Sequence, residues 1–236
     1  MDYFFYILAI AVMVWSLAVN SRLNSLTKKY ANEMVASGKS ANECAKQMLS
    51  MHGVYGVVID YKPGNLTDCF APKEDKIYLS DTTYNRNSIT AVAIAAHECG
   101  HACQKHDGML VYQIRQVIAP FAGIASKLSV WIAVAGVVIM YIAGRNFFDL
   151  GYYISTAGIA LYGLVFLFYL ITLPIERDAS RRGLKYMKEC GWVSDAQFKA
   201  AKKVLWAAGD TYAVALASSA VTLIRLLLMR GNGRRR

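Results

Sequence analysis

Charged residues are scarce along several long stretches of this chain, and their absence argues against an ordinary soluble fold. Four stretches contain at most one charge each: residues 3–20, 117–144, 150–173 and 211–229. A helix needs about 20 apolar residues to cross the hydrocarbon core of a bilayer. The sequence therefore predicts a membrane protein, with the fourth stretch the weakest candidate because Arg225 interrupts it.

The N-terminus lacks the positive charge with which a signal peptide begins. Asp2 precedes the first apolar stretch, and the cations follow that stretch at Arg22, Lys28 and Lys29. Lys and Arg are enriched in cytoplasmic segments of membrane proteins. The pattern predicts an uncleaved anchor whose N-terminus lies outside and whose following residues lie in the cytoplasm.

The second and third apolar stretches predict a hairpin with a short outer loop at residues 145–149. The chain then returns to the cytoplasm at Pro174, and a cluster of cations follows: Arg177, Arg181, Arg182, Lys185 and Lys188. A fourth crossing would leave Arg234, Arg235 and Arg236 outside, against the charge bias. A crossing helix and an interfacial helix therefore both stay open for residues 211–236.

Acidic residues are fewer than basic ones, 16 against 26, which gives a formal net charge of +10. Lys and Arg near the ends of membrane spans meet anionic lipid head groups, and this explains most of the excess. Nucleic-acid binding needs a clustered basic face with reading elements, and the sequence has none. We therefore predict a lipid bilayer as partner and no nucleic acid.

The five cysteines are an odd number without the spacing of a disulfide framework. In a cytoplasmic segment they are expected to be free thiols. Cys99 and Cys103 lie two residues away from His97 and His101, about 200° around a helix. We expect these two thiols to face away from the histidines and to pack in the core.

Histidine is also scarce, with four in the chain, yet two of them lie in the run His97-Glu98-Cys99-Gly100-His101. On a helix, residues four apart project side by side, so both imidazoles can bind one metal ion. Glu98 then lies beside them as a general base, which is the zincin arrangement. A structural histidine pair is the alternative.

The segment between the first two spans predicts a small mixed domain. Helical spacing covers residues 25–52, with Ser40 and Asn42 as candidate caps. Residues 54–61 and 76–80 predict strands, and Ser88 opens the helix with the histidines. Residues 76–80 are either an edge strand beside that helix, where an extended substrate could add, or an ordinary core strand.

A catalytic zinc needs three protein ligands and one open position. The candidates for the third ligand are His52, His106, Glu176 and Asp178. Glu176 directly follows the third span, where Pro174 is expected to break or bend the helix. Ser180 lies one turn further on, where it could hold a ligand by a hydrogen bond.

The other three candidates have simpler interpretations. Asp178 would point away from Glu176 on a helix and is expected to pair with Arg181 or Arg182. His106 is turned off the ligand face and is expected at an exposed helix end, and His52 is expected in a loop.

Several motifs in order resemble the bacterial YugP-type neutral zinc metallopeptidases, which are membrane gluzincins broadly similar to HtpX-type proteases. They are Asn65-Leu66-Thr67-Asp68, Ile77-Tyr78-Leu79-Ser80, the His-Glu-Cys-Gly-His helix, and Leu-Pro-Ile-Glu-Arg-Asp-Ala-Ser-Arg-Arg from residue 173. The resemblance covers most of the chain. It implies one zinc ion per chain held by His97, His101 and Glu176, with Glu98 as base.

The same resemblance implies a membrane-anchored bacterial protease with a peptide or protein substrate. The apolar stretches and the charge bias predict a multi-pass protein of the plasma membrane whose site faces the cytoplasm. The chain departs from the family pattern at Cys69 and Ala71, where the family often has His and Asp. If that His serves the site, Cys69 replaces it or the function is lost.

The predicted fold class is a mostly α membrane protein with transmembrane helices and a small α+β zincin-like cytoplasmic domain. The predicted segments alternate between the membrane and the cytoplasm. They are an anchor at 1–20, the zincin-like domain at 21–116, a transmembrane hairpin at 117–173, a cytoplasmic helical segment at 174–210, and a membrane or interfacial helix with a basic tail at 211–236. The sequence does not predict the oligomeric state.

The predicted function is zinc-dependent endopeptidase activity at the membrane, with membrane protein quality control as one setting. Tyr78, Tyr84 and His106 are candidates for stabilising the oxyanion. The alternative is a non-catalytic membrane scaffold or chaperone with a structural zinc, which a fourth ligand such as Cys69 would favour. A transporter is disfavoured because Lys127 and Arg225 are the only charges within the spans.

Overall fold

The computed structural model of the chain describes residues 2–142 and 145–233. Its elements follow in this order: α1 Asp2–Tyr30, α2 Ala41–Met51, β1 Val58–Tyr61, β2 Cys69–Ala71, β3 Lys76–Leu79, α3 Ile89–His106, α4 Leu110–Ile142, a 3-10 turn Arg145–Phe147, α5 Phe148–Glu189 and α6 Asp195–Gly233. The last two residues of the predicted second span and the basic tail Arg234–Arg236 lie outside the described residues.

Four of the described helices, α1, α4, α5 and α6, are long and apolar enough to cross a membrane. The prediction of a mostly helical protein with membrane-length helices is confirmed. α4 continues through Lys127, so the apolar residues before that lysine extend the helix as expected. α5 continues as a helix through Pro174, and the predicted break there is wrong. Proline removes one backbone hydrogen bond, but its fixed φ is compatible with a helix.

The chain divides into two compact units, and the first contains residues 1–16, 114–173 and 212–236. Within it, the backbones of α4 and α5 touch. A Cβ atom added to Gly136 would lie 2.2 Å from the backbone nitrogen of Ser155, and one added to Gly158 would lie 2.3 Å from that of Ala133. Small residues permit this approach, as in many pairs of membrane helices.

The part of α6 from residue 212 onward belongs to the same unit. Leu226 belongs to an apolar cluster with Ala133 and Ile159. Near the end of α6, the Arg230 guanidinium donates a hydrogen bond to Thr156 Oγ1 at 3.0 Å, and it lies over the ring of Tyr152. The last turns of α6 therefore lie beside the first turns of α5.

The second unit contains residues 17–113 and 174–211. Its sheet has the order β1-β3-β2, with β1 parallel and β2 antiparallel to β3. The strand predicted at 76–80 is thus the central one, and the edge-strand alternative for it is wrong. Its neighbour β2 is only three residues long and was not predicted.

Side chains at two helix starts explain where α2 and α3 begin. Ser40 and Glu43 form a capping box, which satisfies backbone donors at the start of α2. The predicted single helical region therefore divides into the end of α1 and α2, because residues 31–40 are not helical. The Ser88 side chain accepts a hydrogen bond from the Ala91 backbone, and α3 begins at Ile89 as expected.

Candidate metal centre

The site lies where α3 and α5 cross with their backbones in contact. A Cβ atom on Gly100 would lie 2.4 Å from the carbonyl oxygen of Ala179. One turn away on each helix, a Cβ atom on Gly183 would lie 2.8 Å from the carbonyl of Ala96. This reciprocal pairing of a glycine with an alanine brings the two helices closer than larger side chains would allow.

Three polar side chains converge at this crossing. Glu176 Oε2 lies 3.3 Å from His97 Nε2 and 3.5 Å from His101 Nε2. Glu176 and His101 are buried, while His97 retains partial exposure. Among the described residues, these three form the one group of His, Cys, Asp or Glu side chains whose ligand atoms are arranged to hold a metal ion.

The spacing fits zinc. A tetrahedral zinc ion with bonds of about 2.0–2.1 Å separates its ligand atoms by about 3.3 Å. The two measured separations from Glu176 Oε2, 3.3 and 3.5 Å, agree with that value. Imidazole nitrogens and a carboxylate oxygen are also ligands that zinc accepts. The residues present therefore fit a zinc site with one carboxylate and two imidazoles.

Each histidine also has a hydrogen-bond partner on its other ring nitrogen. His97 Nδ1 lies 3.0 Å from Ser180 Oγ on α5, the partner that the sequence suggested. His101 Nδ1 lies 2.9 Å from Gln104 Oε1. Sequence reasoning missed Gln104, although residues three apart on a helix share a face. Partners of this kind fix the orientation of metal-binding imidazoles.

Glu98 is buried beside this group and does not belong to it. Burial, opposed in part by the nearby His97, raises its pKa to about 7. The backbone N–H of Phe70, in β2, donates a hydrogen bond to Glu98 Oε2 at 2.8 Å. A carboxyl group with a pKa near neutrality can both accept and return a proton.

β2 is therefore the strand that borders the site. Cys69 and Ala71 pair with Tyr78 and Lys76 of β3, while the amide of Phe70 points to Glu98. Cys69 does not belong to the metal-binding group of the described residues. Partial burial raises the pKa of its thiol, so the neutral form is favoured.

The remaining candidates for the third ligand do not belong to the metal-binding group of the described residues. Asp178 accepts hydrogen bonds from Arg182 Nε and Gln104 Nε2, in line with the predicted arginine pairing. His52 lies in the turn after α2, between Tyr186 and Asp107. His106 is half exposed at the end of α3.

The candidates for stabilising an oxyanion have partners elsewhere. Tyr78 donates a hydrogen bond to Glu74. Tyr84 packs edge-on against the ring of Tyr61, and His106 lies near His52 and Asp107. Nothing in these contacts directs the three side chains to the metal-binding group.

The five cysteines are free, as predicted. Cys99 and Cys103 are fully buried in the apolar core of the second unit, on the side of α3 away from the histidines. That outcome confirms the packing role expected from their spacing.

Two comparisons with known proteins point to the same family. The profile of a family described as "Putative neutral zinc metallopeptidase" matches residues 5–231. The chain belongs to this family. A curated relative from Bacillus subtilis (strain 168), named "Putative membrane protease YugP", is 31% identical over 230 residues, which covers 98% of each chain. No solved structure gives a significant match.

Membership in the family confirms the resemblance carried by the sequence motifs and implies zinc as the metal. Together with the four apolar helices, the relative's name supports a membrane location.

Proposed function

We propose that the chain is a membrane-anchored, zinc-dependent endopeptidase with His97, His101 and Glu176 as metal ligands and Glu98 as general base. The observation that supports this proposal most is the convergence of three ligand atoms on one point, with an unliganded, buried carboxyl group beside them. Three protein ligands leave a fourth position open, as a catalytic zinc site requires.

The chemistry divides between the metal and the protein. Zinc, when bound, supplies a Lewis acid that polarises a carbonyl group and lowers the pKa of water. Glu98 accepts the proton of the attacking water and delivers it to the leaving amine, which its pKa of about 7 suits. The Phe70 amide holds the Glu98 carboxyl group in place through its hydrogen bond.

The proposed substrate is an extended polypeptide that lies along β2. One side of β2 pairs with β3, and the amide of Phe70 on the other side faces the site. Edge strands bind extended peptides by backbone hydrogen bonds, largely independently of sequence. Unfolded segments of proteins are therefore the substrate class that we expect.

The proposed location is the bacterial plasma membrane, with the site in the cytoplasm. Arg22, Lys28 and Lys29 follow the first apolar stretch, and further cations follow Pro174, both within the unit that contains the site. The excess of Lys and Arg favours the cytoplasm for this unit. Alkaline phosphatase fused after residue 113 is expected to be inactive, and activity there would contradict this orientation.

The alternative of a scaffold with a structural zinc requires a fourth protein ligand. Cys69 is the candidate, and it does not belong to the metal-binding group of the described residues. Its raised thiol pKa also disfavours the thiolate that zinc binds. Both observations support the catalytic proposal over the scaffold.

The test compares zinc content and cleavage of an unfolded protein for three variants of the purified full-length chain. Glu98→Gln is expected to retain about one zinc and lose more than about 99% of the cleavage rate, since general base catalysis alone contributes about 10²–10⁴-fold. Glu176→Ala is expected to lose both.

Glu189→Ala, at the exposed end of α5, is the matched control and should retain both. Undiminished cleavage by Glu98→Gln would refute the general base assignment. Full zinc content in Glu176→Ala would refute the third ligand.

A further inference from the structure

Gln104 is a fully buried polar side chain next to the metal centre, and neither the motif nor the family description assigns it a role. It lies on α3, three residues after His101. Its amide makes three hydrogen bonds of 2.9 Å: Nε2 makes two of them and Oε1 makes one. A buried amide with this many partners has a fixed orientation.

The chemistry of the partners decides which way the amide points. Nε2 faces the carbonyl oxygen of Ile175 and the carboxylate of Asp178, and both of these groups only accept hydrogen bonds. The Gln104 nitrogen, which only donates, must therefore lie on that side. Oε1, which only accepts, then faces His101 Nδ1.

The tautomer of His101 follows from this orientation. Because Gln104 Oε1 cannot donate, Nδ1 of His101 must carry the proton. In the neutral imidazole, Nε2 then has a free lone pair, and Nε2 is the atom that faces Glu176. A metal-binding imidazole needs this arrangement.

Gln104 also joins the two helices that supply ligands. Ile175 directly precedes Glu176, so the hydrogen bond to its carbonyl fixes the backbone of α5 next to the third ligand. The Asp178 oxygen that accepts from Gln104, Oδ2, also accepts a hydrogen bond from Arg182 Nε at 2.7 Å, so Asp178 is held between the two side chains.

We infer that Gln104 is a positioning residue: it holds His101 as the Nδ1–H tautomer and fixes Glu176 against it, so that the zinc site is assembled before the metal binds. This inference rests on the proposed zinc function. The inference goes beyond that function because Gln104 acts on the ligands and touches neither metal nor substrate.

The test measures zinc dissociation constants by chelator competition, without substrate, on the full-length chain in detergent. Gln104→Met keeps the side-chain volume and removes all three hydrogen bonds, and zinc affinity is expected to fall 10–100-fold, the usual effect of losing such a partner.

Gln47→Met is the matched control. Gln47 accepts a hydrogen bond from Trp192 Nε1 in the same unit. Its hydrogen-bond partners among the described residues are Lys39, Met51 and Trp192, and none of these is a proposed metal ligand. Its loss should lower thermal stability and change zinc affinity less than twofold. A folded Gln104→Met variant within twofold of the wild-type affinity would overturn the inference.

A second measurement does not depend on the folding of any variant. In wild-type protein labelled with ¹⁵N-histidine and free of metal, His101 is expected to carry its proton on Nδ1, and a proton on Nε2 alone would overturn the inference.

If wild type binds no zinc, the proposed function fails. If wild type binds zinc and Gln104→Met binds it equally well, only the inference about Gln104 fails.

Discussion

α5 packs backbone to backbone against α4 and against α3, and the two crossings have different consequences. In the first unit, Gly158 on α5 meets Ala133 on α4. In the second unit, Gly183 on α5 meets Ala96 on α3. Both contacts use small residues to bring helices together, but only the second is flanked by side chains of the proposed zinc site, Glu176 and His97.

The comparison shows how one packing mode can serve two purposes. Between α4 and α5, close approach increases packing between apolar helices where water supplies no driving force. Between α3 and α5, the same approach sets the separation of Glu176 from two imidazoles to 3.3 and 3.5 Å. Disturbing the first contact should therefore affect stability, and disturbing the second should affect the chemistry.

The largest effect is expected from Gly100→Val. Its Cβ would lie 2.4 Å from the Ala179 carbonyl oxygen, so α3 and α5 must move apart. The ligand atoms then separate, and we expect loss of zinc binding and of cleavage. Gly123→Val on α4, where a Cβ meets nothing within 4 Å, is the control for the same substitution in an open position. Normal zinc content in Gly100→Val would show that the crossing does not set the ligand geometry.

Gly158→Val is expected to have the second largest effect and to separate stability from metal binding. The added side chain collides with Ala133, and overpacking of this kind costs about 1–3 kcal/mol. Thermal unfolding in detergent should show a lowered Tm, while one zinc per chain is retained. Gly163→Val, on the same helix without a neighbour within 4 Å, should leave the Tm unchanged. Loss of zinc from Gly158→Val at temperatures where it is folded would remove the distinction between the two contacts.

Asp210→Asn tests a charged contact between α5 and α6. Arg177 follows Glu176 in the sequence, and its guanidinium donates a hydrogen bond to Asp210 and lies over the Trp206 ring. Removing the charge of Asp210 should destabilise the protein by about 1–2 kcal/mol, as expected for a partly exposed, charge-assisted hydrogen bond. The Tm measures this loss, and Asp195→Asn at the start of α6 serves as the control. An unchanged Tm would mean that the ion pair does not help to hold α5.

Ser40→Ala should have the smallest effect and leave the site intact. The Ser40 side chain caps α2, and loss of a cap costs about 1 kcal/mol. Chemical denaturation should detect this loss, whereas zinc affinity should stay within twofold of wild type. Ser50→Ala, at an exposed position late in the same helix, should be neutral. A large loss of zinc from Ser40→Ala would link the site to α2, which the comparison does not predict.

The local parts of the site were predictable from the sequence because they depend on residues close along the chain. Ser88 marks the start of α3, and the four-residue spacing of His97 and His101 places both imidazoles on one face. Gln104 was equally accessible by its three-residue spacing, but an uncharged amide gives no signal of metal chemistry. Apolar length alone was sufficient to indicate the membrane helices.

The parts that depend on distant contacts were harder to predict. β2 has three residues, too few to show an alternating pattern, and without it the central place of β3 could not be recognised. α5 continues unbroken through Pro174, because packing around the helix outweighs the tendency of proline to end it. Glu176 was named from its place at a membrane exit and from the family resemblance, whereas its approach to the histidines depends on two glycines whose contacts lie on another helix.

The central claim is that zinc is held by two imidazoles and one carboxylate, with its fourth position left to water or substrate. X-ray absorption at the zinc edge of the purified full-length chain tests this claim most directly. The account predicts a first shell of nitrogen and oxygen atoms alone at about 2.0–2.1 Å. A sulfur atom at about 2.3 Å, as Cys69 would contribute, would contradict the open site and favour a structural zinc.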